Sequence, residues 1–174
     1  MKAAAWPVQR LTARLLVVML AGLAASASAQ GTHVVSVRLP EAVEITAGGG
    51  GTVRLEVSVK PGYHVQANPV RNPSLIPITL ELAGAGEVLP GGPVYPPSKL
   101  FRIAGSAEDL VVYDGTFVIE APVRVGPAQR PAQVALSGTL RYQACTVRLC
   151  LAPRSIAVQV PVSVVSRRET AQVR

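Results

Sequence analysis

Aromatic residues supply only 4% of this 174-residue chain and charged residues only 16%. Nucleic-acid binders carry a clustered basic stripe or aromatics on which bases stack. Here the basic residues are spread along the chain and the aromatics are few, so no nucleic-acid partner is expected. Both methionines, Met1 and Met19, fall in the first 29 residues, which argues against a methionine-rich copper carrier. The two histidines, His33 and His64, and the two cysteines, Cys145 and Cys150, stand in no recognised ligand spacing. No metal or other cofactor is expected, and each histidine reads as an ordinary surface or packed residue. No arrangement of serine, aspartate and histidine suggests a hydrolase. There is no internal repeat, no second domain and, beyond the N-terminus, no helical period.

The one long apolar run, LLVVMLAGLAA, follows Lys2, Arg10 and Arg14 and precedes SASAQ. Ala27 and Ala29 are the small residues that a signal peptidase needs before its cut, so residues 1–29 read as a removed secretory signal and the exported form begins at Gln30. The run is too short to cross a bilayer as an ordinary helix, which takes about 20 apolar residues. The exported chain is therefore expected to be soluble, periplasmic or otherwise extracytoplasmic, without a membrane span, and open to disulfide chemistry. Three of the 17 basic residues and none of the 10 acidic ones lie in the leader, which leaves a net charge of +4 beyond it. About 145 residues remain, enough for one domain with its own core.

That domain, placed at 30–165, reads as β throughout. In TVRLEVSV, Val53, Leu55, Val57 and Val59 share one face, while Arg54, Glu56 and Ser58 take the other. The same period of two runs through Val35, Val37 and Leu39, through Phe117, Ile119, Ala121 and Val123, and through Ile156, Val158, Val160, Val162 and Val164. Fourteen of the chain's 15 prolines and 14 of its 15 glycines punctuate the intervals. Short strands with frequent turn signals favour an all-β antiparallel sandwich, and an immunoglobulin-like one is expected. Pro122 and Pro161 suggest edge strands, since proline cannot donate to a ladder. The glycines of AGGGG at 47–51 read as a flexible connection, GGPVYPPSKLF at 91–101 as a long irregular loop carrying Tyr95 and Phe101, and 166–174 as a disordered tail.

The cysteines stand in RYQACTVRLCLAP. A hairpin with the loop TVRL sets Cys145 opposite Cys150, with Cα atoms about 4.5 Å apart, which a disulfide accepts. Continued down the strands, that register sets Leu140 against Ser155 and Thr139 against Ile156, inward residues against outward ones. A bulge in LAPRS, at 151–155, is needed to shift it by one. Strand parity places Cys145 with Arg141 and Gln143 on the polar face, whereas a core staple would point inward with Leu140 and Tyr142. So short a loop contributes only about 2 kcal/mol of closure entropy, against about 4.7 for one of 100 residues. Spacing alone leaves a structural staple, a redox couple and half of a metal site open.

KPGYHVQAN at 60–68, VYDGTF at 112–117 and above all LRYQACTVRLCLAP at 140–153 carry a resemblance. Over most of residues 33–165 the chain resembles the N-terminal periplasmic domain of the transmembrane thiol:disulfide reductase DsbD. The resemblance implies an immunoglobulin-like domain whose Cys145/Cys150 pair takes electrons from a thioredoxin-like protein or domain and passes them to oxidised periplasmic proteins. It also implies Tyr63 and Tyr142 packed by the sulfurs, the Tyr-Gln-x-Cys step through Gln143, and an aromatic cap from YPPSKLF, with Tyr95 and Phe101, over the pair. The second cysteine is the one that bonds to partners in that family; for Cys150, Arg148 is a nearby positive charge that favours a thiolate. Here four residues separate the cysteines where family members often have five, and Pro96 and Pro97 stiffen the cap. With no electron-transporting or thioredoxin domain in the sequence, the electron donor is expected to be a separate protein. The alternative is a non-redox β-sandwich that binds or scaffolds envelope proteins around a structural disulfide.

Overall fold

The computed structural model describes residues 33–166. The leader at 1–29 and the tail beyond Ser166 lie outside those residues. Among the described residues there are twelve strands and no helix. One sheet runs in the order β1 (Val35–Arg38), β3 (Gly50–Val59), β9 (Thr116–Val125), β6 (Val88–Pro90). A second runs β2 (Val43–Thr46), β12 (Arg154–Val165), β10 (Ala132–Tyr142), β5 (Thr79–Leu82). A third, shorter sheet runs β11 (Ala144–Cys145), β4 (His64–Gln66), β8 (Leu110–Tyr113), β7 (Lys99–Phe101). The ladders are antiparallel except β2 on β12, which is parallel.

The period of two does what it should. Val53, Leu55, Val57 and Val59 of β3 are buried, as are Ile119, Ala121 and Val123 of β9 and Val158, Val160, Val162 and Val164 of β12. They meet Leu136, Leu140 and Tyr142 of β10 in one core cluster. Burying each Val or Leu side chain is worth about 1.5–3 kcal/mol, so the inner faces of the two large sheets hold the molecule together. The result is an all-β, immunoglobulin-like sandwich. Gly138 lets β5 lie close to β10, since a Cβ there would run into the Glu81 carbonyl oxygen.

Three expectations are corrected. Pro122 is not on an edge: β9 runs between β3 and β6, and Pro122 stands opposite Thr52. Its carbonyl accepts from Gly91 N at 2.7 Å, one residue past the end of β6, so the missing N–H faces the point where that neighbour stops. Pro161 does border an open stretch, because β2 flanks β12 only from Val162 onward. Gly50 and Gly51 are not a loose connection but the first residues of β3, paired with Arg124 and Val123; a Cβ on Gly51 would press on Ile45 at 3.0 Å. The 91–101 loop is also partly ordered into the sheets, through a bridge from Val94 to Glu120 and through β7 at its end.

Candidate functional site

β10 and β12 hold one register from Ala132↔Val164 to Tyr142↔Arg154, with Leu140 opposite Ile156. Beyond Tyr142 the register changes. Leu151 N donates to Ala144 O at 2.8 Å, and Cys145 bridges Cys150. Between these points Gln143 alone stands against Ala152 and Pro153, which is the one-residue bulge that the inward pattern demands. The Gln143 side chain ties it down: Nε2 donates to Leu151 O at 3.3 Å and Oε1 accepts from Ile76 N at 3.0 Å.

At this break the chain leaves the second sheet for the third, and β11 pairs with β4, Cys145 opposite His64. Parity counted through Gln143 therefore fails. Cys145 is not on the polar face with Arg141; it is fully buried. Its disulfide partner Cys150, with Cα atoms 3.9 Å apart, is only half-buried. The turn between them is closed by Thr146 N donating to Leu149 O at 2.8 Å, and the Thr146 hydroxyl accepts from Arg148 N and Leu149 N at 3.2 Å.

β4 supplies the surroundings of the inner sulfur. His64, Val65 and Gln66 are all buried. Gln66 Nε2 donates to Cys145 Sγ at 3.2 Å, while Gln66 Oε1 and His64 Nε2 are buried with no partner among the described residues. The His64 ring stacks on Phe101, with centroids 3.7 Å apart and planes tilted by 40°. Burial holds the His64 imidazole below its ordinary pKa, and the Asp114 carboxylate offsets part of that. Asp114 is itself ion-paired with Lys99.

Phe101 lies near the turn of the cysteine hairpin. It lines an open cleft of about 440 Å³ with Tyr63, His64, Asp114 and the turn residue Val147, and the segment after β7 is bound to that turn through Ala104 N donating to Val147 O at 2.9 Å. Tyr95 goes elsewhere. Its hydroxyl accepts from Leu80 N at 2.9 Å, and it sits with Arg54, Phe117 and Glu120, a group that includes no residue of the cysteine hairpin. Tyr142 is buried at the end of β10, its hydroxyl pKa pushed up by burial. Arg148 is exposed at the turn and makes no ion pair among the described residues.

His64 and Gln66 are the site residues that residue patterning missed. Both lie in the quoted KPGYHVQAN, but a three-residue strand has no period to tell which face is covered, and the cover comes from Phe101 and Cys145, distant in sequence. Of the two bonded cysteines, Cys145 is fully buried and Cys150 half-buried, so Cys150 is the more exposed end of a bond that thiol–disulfide exchange can open. Among the described residues no cluster of side chains suited to a metal is found, and no helix is long and apolar enough to cross a membrane.

The family model described as thiol:disulfide interchange protein DsbD, N-terminal, matches residues 32–161. No curated protein matches the chain. Among solved structures, the N-terminal periplasmic domain of ScsB from Proteus mirabilis is 15% identical, with a TM-score of 0.47 over 72% of this chain and 44% of that one. A family 123 glycoside hydrolase from Clostridium perfringens is 7% identical, with a TM-score of 0.37 over 78% of this chain and 28% of that one. AggA, the major subunit of aggregative adherence fimbriae type I from Escherichia coli, is 11% identical, with a TM-score of 0.31 over 77% of this chain and 97% of that one. The chain spans less than half the length of the ScsB structure.

Proposed function

The chain belongs to the family of the N-terminal domain of the thiol:disulfide interchange protein DsbD, and from that membership we propose that the Cys145–Cys150 bond is a redox-active disulfide. In this reading the domain works outside the cytoplasm and relays reducing equivalents from a thioredoxin-like protein or domain to oxidised envelope proteins. The observation that carries it is the asymmetry of the pair. Cys150 is half-buried, whereas Cys145 is fully buried with its sulfur under a side-chain amide, an inequality that rigidity alone does not call for.

The exchange runs in two steps. A thiolate of the reduced donor attacks Cys150 Sγ; the bond between the cysteines breaks, a mixed disulfide forms, and Cys145 takes the electron pair. A second donor thiolate then attacks the donor's own sulfur in the mixed disulfide and releases Cys150 as a thiolate. The donor leaves as a disulfide, and the domain holds two thiols after taking up two protons. Passing electrons to an oxidised envelope protein is the reverse process with Cys150 as the attacking group.

Trapping tests this. Cys145→Ser and Cys150→Ser are each reduced and reacted with a thioredoxin-like protein that lacks its resolving cysteine and carries its remaining one as a mixed disulfide with thionitrobenzoate, so that capture by the domain thiol releases thionitrobenzoate as the leaving group. The variant that retains Cys150 is expected to form the mixed disulfide faster. No mixed disulfide with either variant would remove the exchange reading, and faster capture by the variant retaining Cys145 would reverse the roles.

A further inference from the structure

Gln66 is an expensive residue for a domain of this kind. It is 1% exposed, its Oε1 has no hydrogen-bond partner among the described residues, and its Nε2 is spent on a disulfide sulfur. A neutral sulfur is a weak acceptor, so in the oxidised molecule this buried amide is poorly compensated for the water it has lost. The sulfur changes on reduction. As a thiolate it carries a full negative charge, and hydrogen bonds to ionised acceptors are roughly twice as strong as neutral ones.

We infer that Gln66 is the hydrogen-bond donor that receives the leaving thiolate of Cys145 when an incoming thiolate opens the disulfide at Cys150. The inference rests on the exchange reading above and assigns it a catalytic side chain that touches a reacting atom. Three features of the geometry carry it. Cys145 pairs with His64, so Gln66, two residues along β4, projects from the same face as the sulfur. Its backbone is fixed on both sides, N–H donating to Gln143 O at 3.2 Å and C=O accepting from Ile78 N at 2.9 Å. The donor is therefore aimed before charge develops, which is how a preorganised dipole lowers a barrier. The charged and titratable groups nearby are His64 on the same strand, Asp114 paired with Lys99, and Arg148 on the turn. Gln66 has no proton to lose, so its contribution does not itself titrate. As the bond between the cysteines breaks, the electron pair moves to Cys145 Sγ, the Gln66 N–H stays covalently intact, and the thiolate is protonated only afterwards from solvent.

The test needs no partner protein. In reduced Cys150→Ser, ultraviolet thiolate absorbance against pH gives the midpoint of Cys145. Gln66→Met, which keeps the volume and removes the donor, is expected to raise that midpoint by about one unit, a tenfold loss of thiolate at fixed pH. Gln66→Glu, which places a negative charge at the sulfur, is expected to raise it further. An unchanged midpoint in a folded Gln66→Met variant overturns the inference. Should that variant not fold, the reduced protein with its natural Gln66 decides: its side-chain amide proton is expected to shift downfield with the Cys145 midpoint, and a resonance that stays put overturns the inference. A titrating amide without partner capture would leave the thiolate donor standing and remove the exchange reading; capture with a silent amide would do the reverse.

Discussion

His64 sits where a proton is costly. Its Nε2 is buried without a partner among the described residues and its ring lies against Phe101, so burial lowers its pKa despite the carboxylate of Asp114. A lowered folded-state pKa fixes the sign of the pH dependence. Above the unfolded value of about 6.5 both states are neutral and the stability is fully present; as pH falls below that value the unfolded chain takes the proton first, and stability is lost down to the folded pKa. Chemical denaturation is expected to show a decline below about pH 6.5 that is absent in His64→Gln. Parallel curves for the two proteins would mean that His64 is not the responsible group. Phe101, the other ring of the stack, is expected to act on access. Phe101→Ala should speed reduction by a small dithiol by about tenfold with the fold retained. Tyr95→Ala should leave that rate alone and cost about 1–3 kcal/mol in stability, because Leu80 N loses its acceptor. A rate that rises in Tyr95→Ala and not in Phe101→Ala would move the cap to the other ring. The sequence placed both aromatics in one loop and could not separate them, since their difference lies in what each ring meets: β5 for Tyr95, β4 for Phe101.

At the scale of elements, the cysteine hairpin depends on a change of register. The need for a bulge was legible, because a strict register from Cys145 and Cys150 would have set Leu140 against Ser155, whereas Leu140 in fact stands opposite Ile156. The side on which Cys145 would emerge was not legible. Parity counts hold within an unbroken strand, and β10 is broken at Gln143, where β11 changes its partner from the second sheet to β4. Gln143 is the fastener of that break, bonded at once to Ile76 N and Leu151 O. Gln143→Ala leaves the Ile76 donor without its partner and frees the bulge, so a loss of about 1–3 kcal/mol in denaturant unfolding is expected. Hydrogen exchange should speed at Leu151 and Ala144 more than in the centre of β10. Uniform acceleration along β10 would show that Gln143 supports the whole ladder and not the bulge.

Over the whole molecule, the alternating strands were the most legible feature because their pattern is local and repeated: every second residue of β3, β9 and β12 faces the same core. The third sheet was nearly invisible in the sequence, since its strands are two to four residues long and carry no period. The division has a consequence for stability. Most of the core comes from β3, β9, β10 and β12, whereas the disulfide spans a separation of only five residues at the end of one hairpin. Its loop-closure contribution is about 2 kcal/mol, against a total of about 5–15 kcal/mol for an ordinary domain. Reduction should therefore leave the sandwich standing, as a relay that alternates between disulfide and dithiol requires. The double variant Cys145→Ala, Cys150→Ala is expected to keep the far-ultraviolet circular dichroism of the natural protein and a cooperative unfolding transition, with midpoint lowered by the equivalent of about 2 kcal/mol. A variant that is largely unfolded in buffer would mean that the bond holds the core together, and the hairpin would then be a staple with no freedom to exchange.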